Sequence, residues 1–149
     1  FVIQWHSVGM FAPSFFTGSL ISRFGIARVL LAGAALLMGA VAINLSGIEM
    51  LHFFSGLVLV GIGWNFLYVG GSSLVTETYT PPEKAAAQGL HDLLVFSSSA
   101  GAAFLSGALQ QRFGWEAVNF GVLPAIAVSV AAGLWLVSIR RRTGVVQAA

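Results

Sequence analysis

At 149 residues with 57% hydrophobic and only 8% charged side chains, the chain carries far less charge than the roughly 25% of an average soluble domain. Seven Lys+Arg and five Asp+Glu cannot cover a globule of this size, so a soluble domain is excluded, and a mean hydropathy of +0.89 points to lipid as the main solvent. The net charge is only +2 and the run Arg140, Arg141, Arg142 sits beside an apolar segment, which fits membrane orientation and not nucleic-acid binding.

Apolar runs between charges predict five membrane helices, at about 1–21, 26–48, 50–75, 88–111 and 117–139, with residues 143–149 as a tail. Each is near the roughly 20 residues that span about 30 Å of hydrocarbon. The first contains no Lys or Arg from Phe1 to Ile21, so no charged signal-peptide n-region precedes it, and the start reads as truncated. The second holds nothing more polar than glycine from Val29 to Ile43. His91 and Asp92 sit just before the apolar run Leu93 to Gln111 of the fourth, so that helix has room to begin nearer Ala85 and carry both at its membrane edge. Pro13 and Pro124 lie inside predicted helices, where a missing donor and a crowded carbonyl predict kinks. Small residues four apart, Ala35/Gly39, Ser98/Ala102 and Ala103/Gly107, suit close helix packing in lipid. The predicted fold is therefore an all-α polytopic bundle whose short connectors make successive helices antiparallel.

Lys/Arg bias sets the orientation. Arg23 and Arg28 in the first connector, Lys84 in the third and the three terminal arginines fall on one side, against Arg112 alone on the other. The first connector, the Pro81-Pro82 connector and the C-terminus are expected to be cytoplasmic. Trp5 and Trp115 fit the outer interface, whereas Trp64 falls in mid-helix.

The first connector reads Gly18-Ser-Leu20-Ile-Ser22-Arg23-Phe-Gly25-Ile-Ala-Arg28. It resembles the G-x-L-x-D-R-x-G-x-x-R loop of major facilitator superfamily transporters, with glycines for a tight turn and arginines to hold helix ends. Ser22 stands where the first copy of that loop has an acidic residue, which matches the second copy, between helices eight and nine. The segment from Glu77 through Pro81, Glu83 and Lys84 is similar to the family's E-x-x-x-P-x-E-R/K stretch between helices ten and eleven. The resemblance covers nearly the whole chain, as helices eight to twelve of a twelve-helix bundle. It implies alternating access between two six-helix halves, a small organic solute as partner, and earlier helices of the same protein as the other partner. It places the chain in a membrane, the bacterial inner membrane, and implies no cofactor.

In the third predicted helix Gly61, Trp64, Asn65, Tyr68 and Ser72 fall within a stripe roughly 100° wide. An indole, an amide, a phenol and a hydroxyl on one face suit an organic solute, and the resemblance makes this helix cavity-lining. The competing reading is that the polar groups bond only to neighbouring helices. Among ionisable groups, His6 is a candidate for proton coupling because its reference pKa near 6.5 needs little shift to titrate. The opposing reading is a structural histidine. Arg23, Glu77 and Asp92 flank cytoplasmic connectors; Glu77 and Asp92 are candidates to carry protons or to latch helices, the latch being the favoured reading, and the resemblance pairs Arg23 with Glu77.

Enzymatic chemistry has no constellation to rest on. No His is followed by Glu as in H-E-x-x-H, Ser55 and Ser106 carry Phe53 and Phe104 two positions earlier where a G-x-S-G protease needs glycine, and no phosphate-binding loop or metal-ligand spacing occurs. A non-transporting scaffold of the membrane is the alternative function. Because the chain has no cysteine, single cysteines introduced at Ser22, Thr80 and Thr143 should all react with an impermeant thiol reagent from one side of the membrane. Reaction from opposite sides would overturn the topology.

Overall fold

The computed structural model describes residues 1–142, and no strand occurs among the described residues. The helices are α1 (Val2–Phe11), α2 (Ser14–Phe24), α3 (Ile26–Ser46), α4 (Met50–Val75) and α5 (Lys84–Arg142), with a 3-10 turn at Pro81–Glu83 ahead of α5. Three stretches, in α3, α4 and α5, are long and apolar enough to cross a membrane. Helix α5 is bent at Gly114, whose φ of 83° and ψ of −175° are not helical. A Cβ on Gly121 would lie 3.3 Å from Leu109, so the chain doubles back there into arms 84–113 and 115–142. Only glycine takes this φ without strain.

The predicted helix at 1–21 is broken near its middle. Pro13 has no N–H to donate, α1 stops at Phe11 and α2 resumes at Ser14, and Pro13 itself keeps helical angles of −63° and −20°. The result is a kink and not a loop. Pro124, in contrast, stays inside helical backbone. The turn between α2 and α3 is the single residue Gly25, with φ 86°. Helix α3 ends at Ser46, ahead of the expected 48. The arm expected from 88 starts at Lys84, because Thr80 and Glu83 form a capping box that nucleates it. The Glu83 carboxylate accepts from the Thr80 hydroxyl at 2.6 Å and from the Thr80 N–H at 2.9 Å. These bonds, the hydroxyl first, hold the Glu83 carboxyl below the ordinary carboxylate value.

Lipid is as apolar as leucine, so helices here are held by close backbone approach and by interhelical hydrogen bonds. Gly56, Gly63 and Gly70 recur every seventh residue on one face of α4. A Cβ on Gly63 would sit 3.0 Å from the Gly33 carbonyl and the reverse substitution would sit 3.0 Å from that of Gly63. Gly56 receives the Asn44 amide and Gly70 the Leu30 side chain. These contacts run antiparallel. The opposite face of α4 takes α1: a Cβ on Gly61 would meet the His6 carbonyl at 2.5 Å, and His6 Nδ1 donates to the Leu57 carbonyl at 2.8 Å. The residue offset stays near constant, so α1 and α4 are parallel. Arm 115–142 covers α3, with Gly133 against Leu31 and Asn119 against Asn44.

The small-residue pairs expected to mediate close packing do not do so here. Gly39 has only a distant Leu59 contact at 3.8 Å, and a Cβ on Gly107 would meet nothing within 4 Å. By contrast, Gly61 and Gly63 of α4 meet backbone of α1 and α3 on opposite sides. Large apolar side chains such as Phe15 and Phe104 are exposed, as lipid-facing residues are.

Gly63→Leu should lower the thermal unfolding midpoint of the protein in detergent, at an overpacking cost of about 1–3 kcal/mol, while Gly107→Ala leaves it nearly unchanged. Equal effects of the two would contradict the assigned α3/α4 contact.

Candidate solute-cavity face between α4 and α5

The polar stripe of α4 is shared by two neighbours. Its first part, Gly61 and Asn65, is covered by α1 and α2. Asn65 is 1% exposed, and its Nδ2 donates to the Met10 carbonyl and to Ser14 Oγ, each at 2.6 Å. Thr17, fully buried, places its hydroxyl 2.7 Å from Asn65 Oδ1 and 2.8 Å from the Pro13 carbonyl. Asn65 therefore satisfies polar groups at the Pro13 kink. Gly61 and Asn65 face α1 and α2, since the kink leaves polar groups that must be bonded within the bundle.

The rest of the stripe meets arm 84–113. Ser72 Oγ donates to Gln88 Oε1 at 3.4 Å, and one turn deeper Tyr68 donates to Asp92 Oδ1 at 3.3 Å. The residue numbers in both rungs sum to the same value, as two antiparallel helices require. The next rung in that register is Trp64 with Phe96. The Trp64 and Tyr68 rings are stacked 4.8 Å apart at 8°, and the His91 and Phe96 rings flank Tyr68 at 5.9 and 6.4 Å. His91 Nδ1 lies 3.1 Å from Asp92 Oδ1. At the loop end Gln88 Nε2 donates to the Tyr79 hydroxyl at 3.0 Å. Trp64, Tyr68 and Ser72 thus form an aromatic and polar surface together with Gln88, His91 and Phe96, which sequence pattern alone does not single out.

Charged ends behave differently from expectation. Glu77 pairs with Arg140 at 2.5 Å, with side chains 47% and 19% exposed, while Arg23 lies over the Phe24 ring at 5.4 Å. The expected Arg23–Glu77 latch is not made. Arm 115–142 returns to the end of α4 and brings its own arginine there, so the C-terminal helix, not the first connector, supplies the cation. Asp92 is bonded to Tyr68 and His91 and not to Arg23. Of the loop motif, Gly25 makes the turn and Arg28 reaches the Phe24 carbonyl at 3.5 Å, whereas Gly18 has open space around it. Residue 143, the labelling position in the tail, lies outside the described residues.

Three relatives give the family. The riboflavin transporter RfnT of Brucella anthropi is 44% identical over 126 residues, which is 85% of this chain and 32% of that protein. The chain belongs to the major facilitator superfamily. An uncharacterised MFS-type transporter of Bacillus subtilis, YdeG, is 32% identical over 87% of the chain and 31% of its own length. The tetracenomycin C resistance and export protein of Streptomyces glaucescens is 31% identical over 93% and 27%. This superfamily chain thus spans about a third of the length of the curated relatives it matches. No family model and no solved structure matches it. The membership and the apolar helices make it an integral membrane protein.

A double-mutant cycle should find coupling between Glu77 and Arg140 of about 0.2–1 kcal/mol, the range for a part-exposed pair. The same cycle between Glu77 and Arg23 should find none. Coupling to Arg23 and not to Arg140, read from unfolding in detergent, would reverse the assignment.

Proposed function

We propose that the chain forms helices eight to twelve of a twelve-helix secondary transporter, with its C-terminus in the cytoplasm of a bacterium, that moves a small organic solute by alternating access. The observation that carries this reading is the parallel Trp64–Tyr68 pair at the polar α4/α5 seam. Extended aromatic faces with polar tips bind organic solutes by stacking while the polar groups orient them. The seam lies about 10 Å inside the α4 end, since Tyr68 precedes Val75 by seven residues at 1.5 Å each. A solute held there is well below the membrane surface.

The relatives support transport, one being named for riboflavin and another for export of tetracenomycin C. Riboflavin is accordingly the first probe for this chain's parent protein, because its relative shows the higher identity and the site offers ring stacking. The α4 stripe itself carries no charge, so Asp92 is the nearest charged group to the solute. His6, whose Nδ1 is held by the Leu57 carbonyl, serves the α1/α4 contact in this reading.

Riboflavin uptake or efflux by the full-length transporter should weaken in Trp64→Leu and Tyr68→Phe with membrane levels unchanged. Loss of the Trp64 ring as a stacking partner is worth about 1 kcal/mol, roughly fivefold in apparent affinity, whereas Tyr68→Phe keeps its ring and loses only the orienting hydroxyl. Wild-type flux in both variants would remove this face from the solute path. Absence of flux for every solute of a broad panel would favour the scaffold reading.

A further inference from the structure

A cleft of about 490 Å³ lies at the end of α4 remote from Glu77, between α4 and the two arms of α5. A volume of that order holds a small organic molecule. In the register set by Ser72 with Gln88 and Tyr68 with Asp92, Phe53 falls opposite Gly107. Both line this cleft, and a Cβ on Gly107 would meet nothing within 4 Å. The seam that side chains bridge at one end of α4 is therefore open at the other. Phe53 precedes Trp64 by eleven residues, about 16 Å at 1.5 Å each, so the cleft is a place apart from the Trp64–Tyr68 pair.

The lining decides what the cleft can hold. Phe53 and Trp115 stand edge to face, 4.9 Å apart at 63°. The Trp115 indole N–H donates to the Asn44 carbonyl at 3.0 Å, so the cleft receives ring surface from it and no donor. Ser106 donates to the Ala103 carbonyl of its own helix at 3.0 Å and keeps only its capacity to accept. The Gln110 carboxamide is exposed and bonds to nothing among the described residues. It offers a donor and an acceptor side by side. No charged side chain lines the cleft.

We infer that this cleft is a second solute site, which takes a neutral, flat heteroaromatic molecule with its ring against Phe53 and Trp115 and an N–H beside a C=O on its edge paired with the Gln110 amide. The inference rests on the transporter reading above and deepens it, by adding a site at the outer end of the seam on which Trp64 and Tyr68 lie. Ring contact supplies attraction without charge. The two-point amide pair selects the edge, since a ring lacking it leaves Gln110 without its partner in the complex. Because α4 and arm 84–113 are already apart at Gly107, the cleft receives its ligand without movement of the two helices.

The test uses the full-length transporter in liposomes, cleared of cysteine elsewhere, with Ser106→Cys as the reporter and an impermeant thiol reagent on the side opposite the C-terminus. Riboflavin, whose ring system carries an imide edge, should slow labelling of Ser106→Cys, and should do so equally when Trp64→Leu is added. Gln110→Ala should raise the riboflavin concentration for half protection about fivefold, while riboflavin exchange across the membrane persists and shows that the variant folds. Riboflavin methylated on its imide nitrogen should show the same weakening with Gln110 intact. Labelling that riboflavin does not slow, in a protein that exchanges riboflavin, would overturn the inference and leave the transporter reading standing. So would protection that disappears with Trp64→Leu, or a Ser106→Cys that never reacts because the rest of the transporter fills the cleft. If the wild-type protein exchanges no riboflavin, the solute reading fails separately, and protection of Ser106→Cys alone decides whether the cleft binds this class of ring.

Discussion

Helix α4 must be gripped on two opposite sides without help from the hydrophobic effect, and the rest of the structure depends on how that is done. Gly61 and Gly63 are two residues apart, about 200° around the helix, so one opens α4 to α1 and the other to α3. On the α3 side the grip is backbone against backbone at Gly33 and Gly63. On the α1 side it combines the Gly61 contact with an amide, Asn65, whose hydrogen bonds end on the Pro13 kink. Proline there costs a helix hydrogen bond, and Asn65 recovers polar satisfaction that lipid cannot give.

The seam between α4 and arm 84–113 is of another kind. It has no glycine pressed against backbone; its rungs are side chains, Ser72 to Gln88 and Tyr68 to Asp92. Side-chain rungs of 3.3 to 3.4 Å can separate and re-form with little loss of packing, whereas the α3/α4 glycine contact cannot open without creating a void. Motion between elements is thus expected at the polar seam, and the aromatic pair lies on it. At the far end Trp115 donates to the Asn44 carbonyl, Asn44 Nδ2 donates to Asn119, and Phe53 packs on the Trp115 ring at 4.9 Å. That end ties α3, α4 and arm 115–142 together beside the Gly114 bend, so the hairpin formed by α5 is anchored away from the seam.

Composition and spacing were enough for the membrane, for helices near their observed places and for the resemblance to the superfamily, because each of these is a one-dimensional property. Lipid demands about 20 apolar residues, and Pro13, Gly25 and the Pro81-Pro82 pair act on their own backbone. The stripe Gly61, Trp64, Asn65, Tyr68, Ser72 was also legible, since its angles follow from the helix alone. What lies opposite each member was not. Asn65 meets the kink and Tyr68 meets Asp92 only because α1 is parallel to α4 while arm 84–113 is antiparallel to it. The partner of Glu77 is 63 residues away, and charge type cannot distinguish Arg140 from Arg23. A sequence determines which groups need partners; only the tertiary structure, by fixing which helix ends and faces come within about 3 Å of each other, decides which partners they receive, because hydrogen bonds and ion pairs are short-ranged and directional.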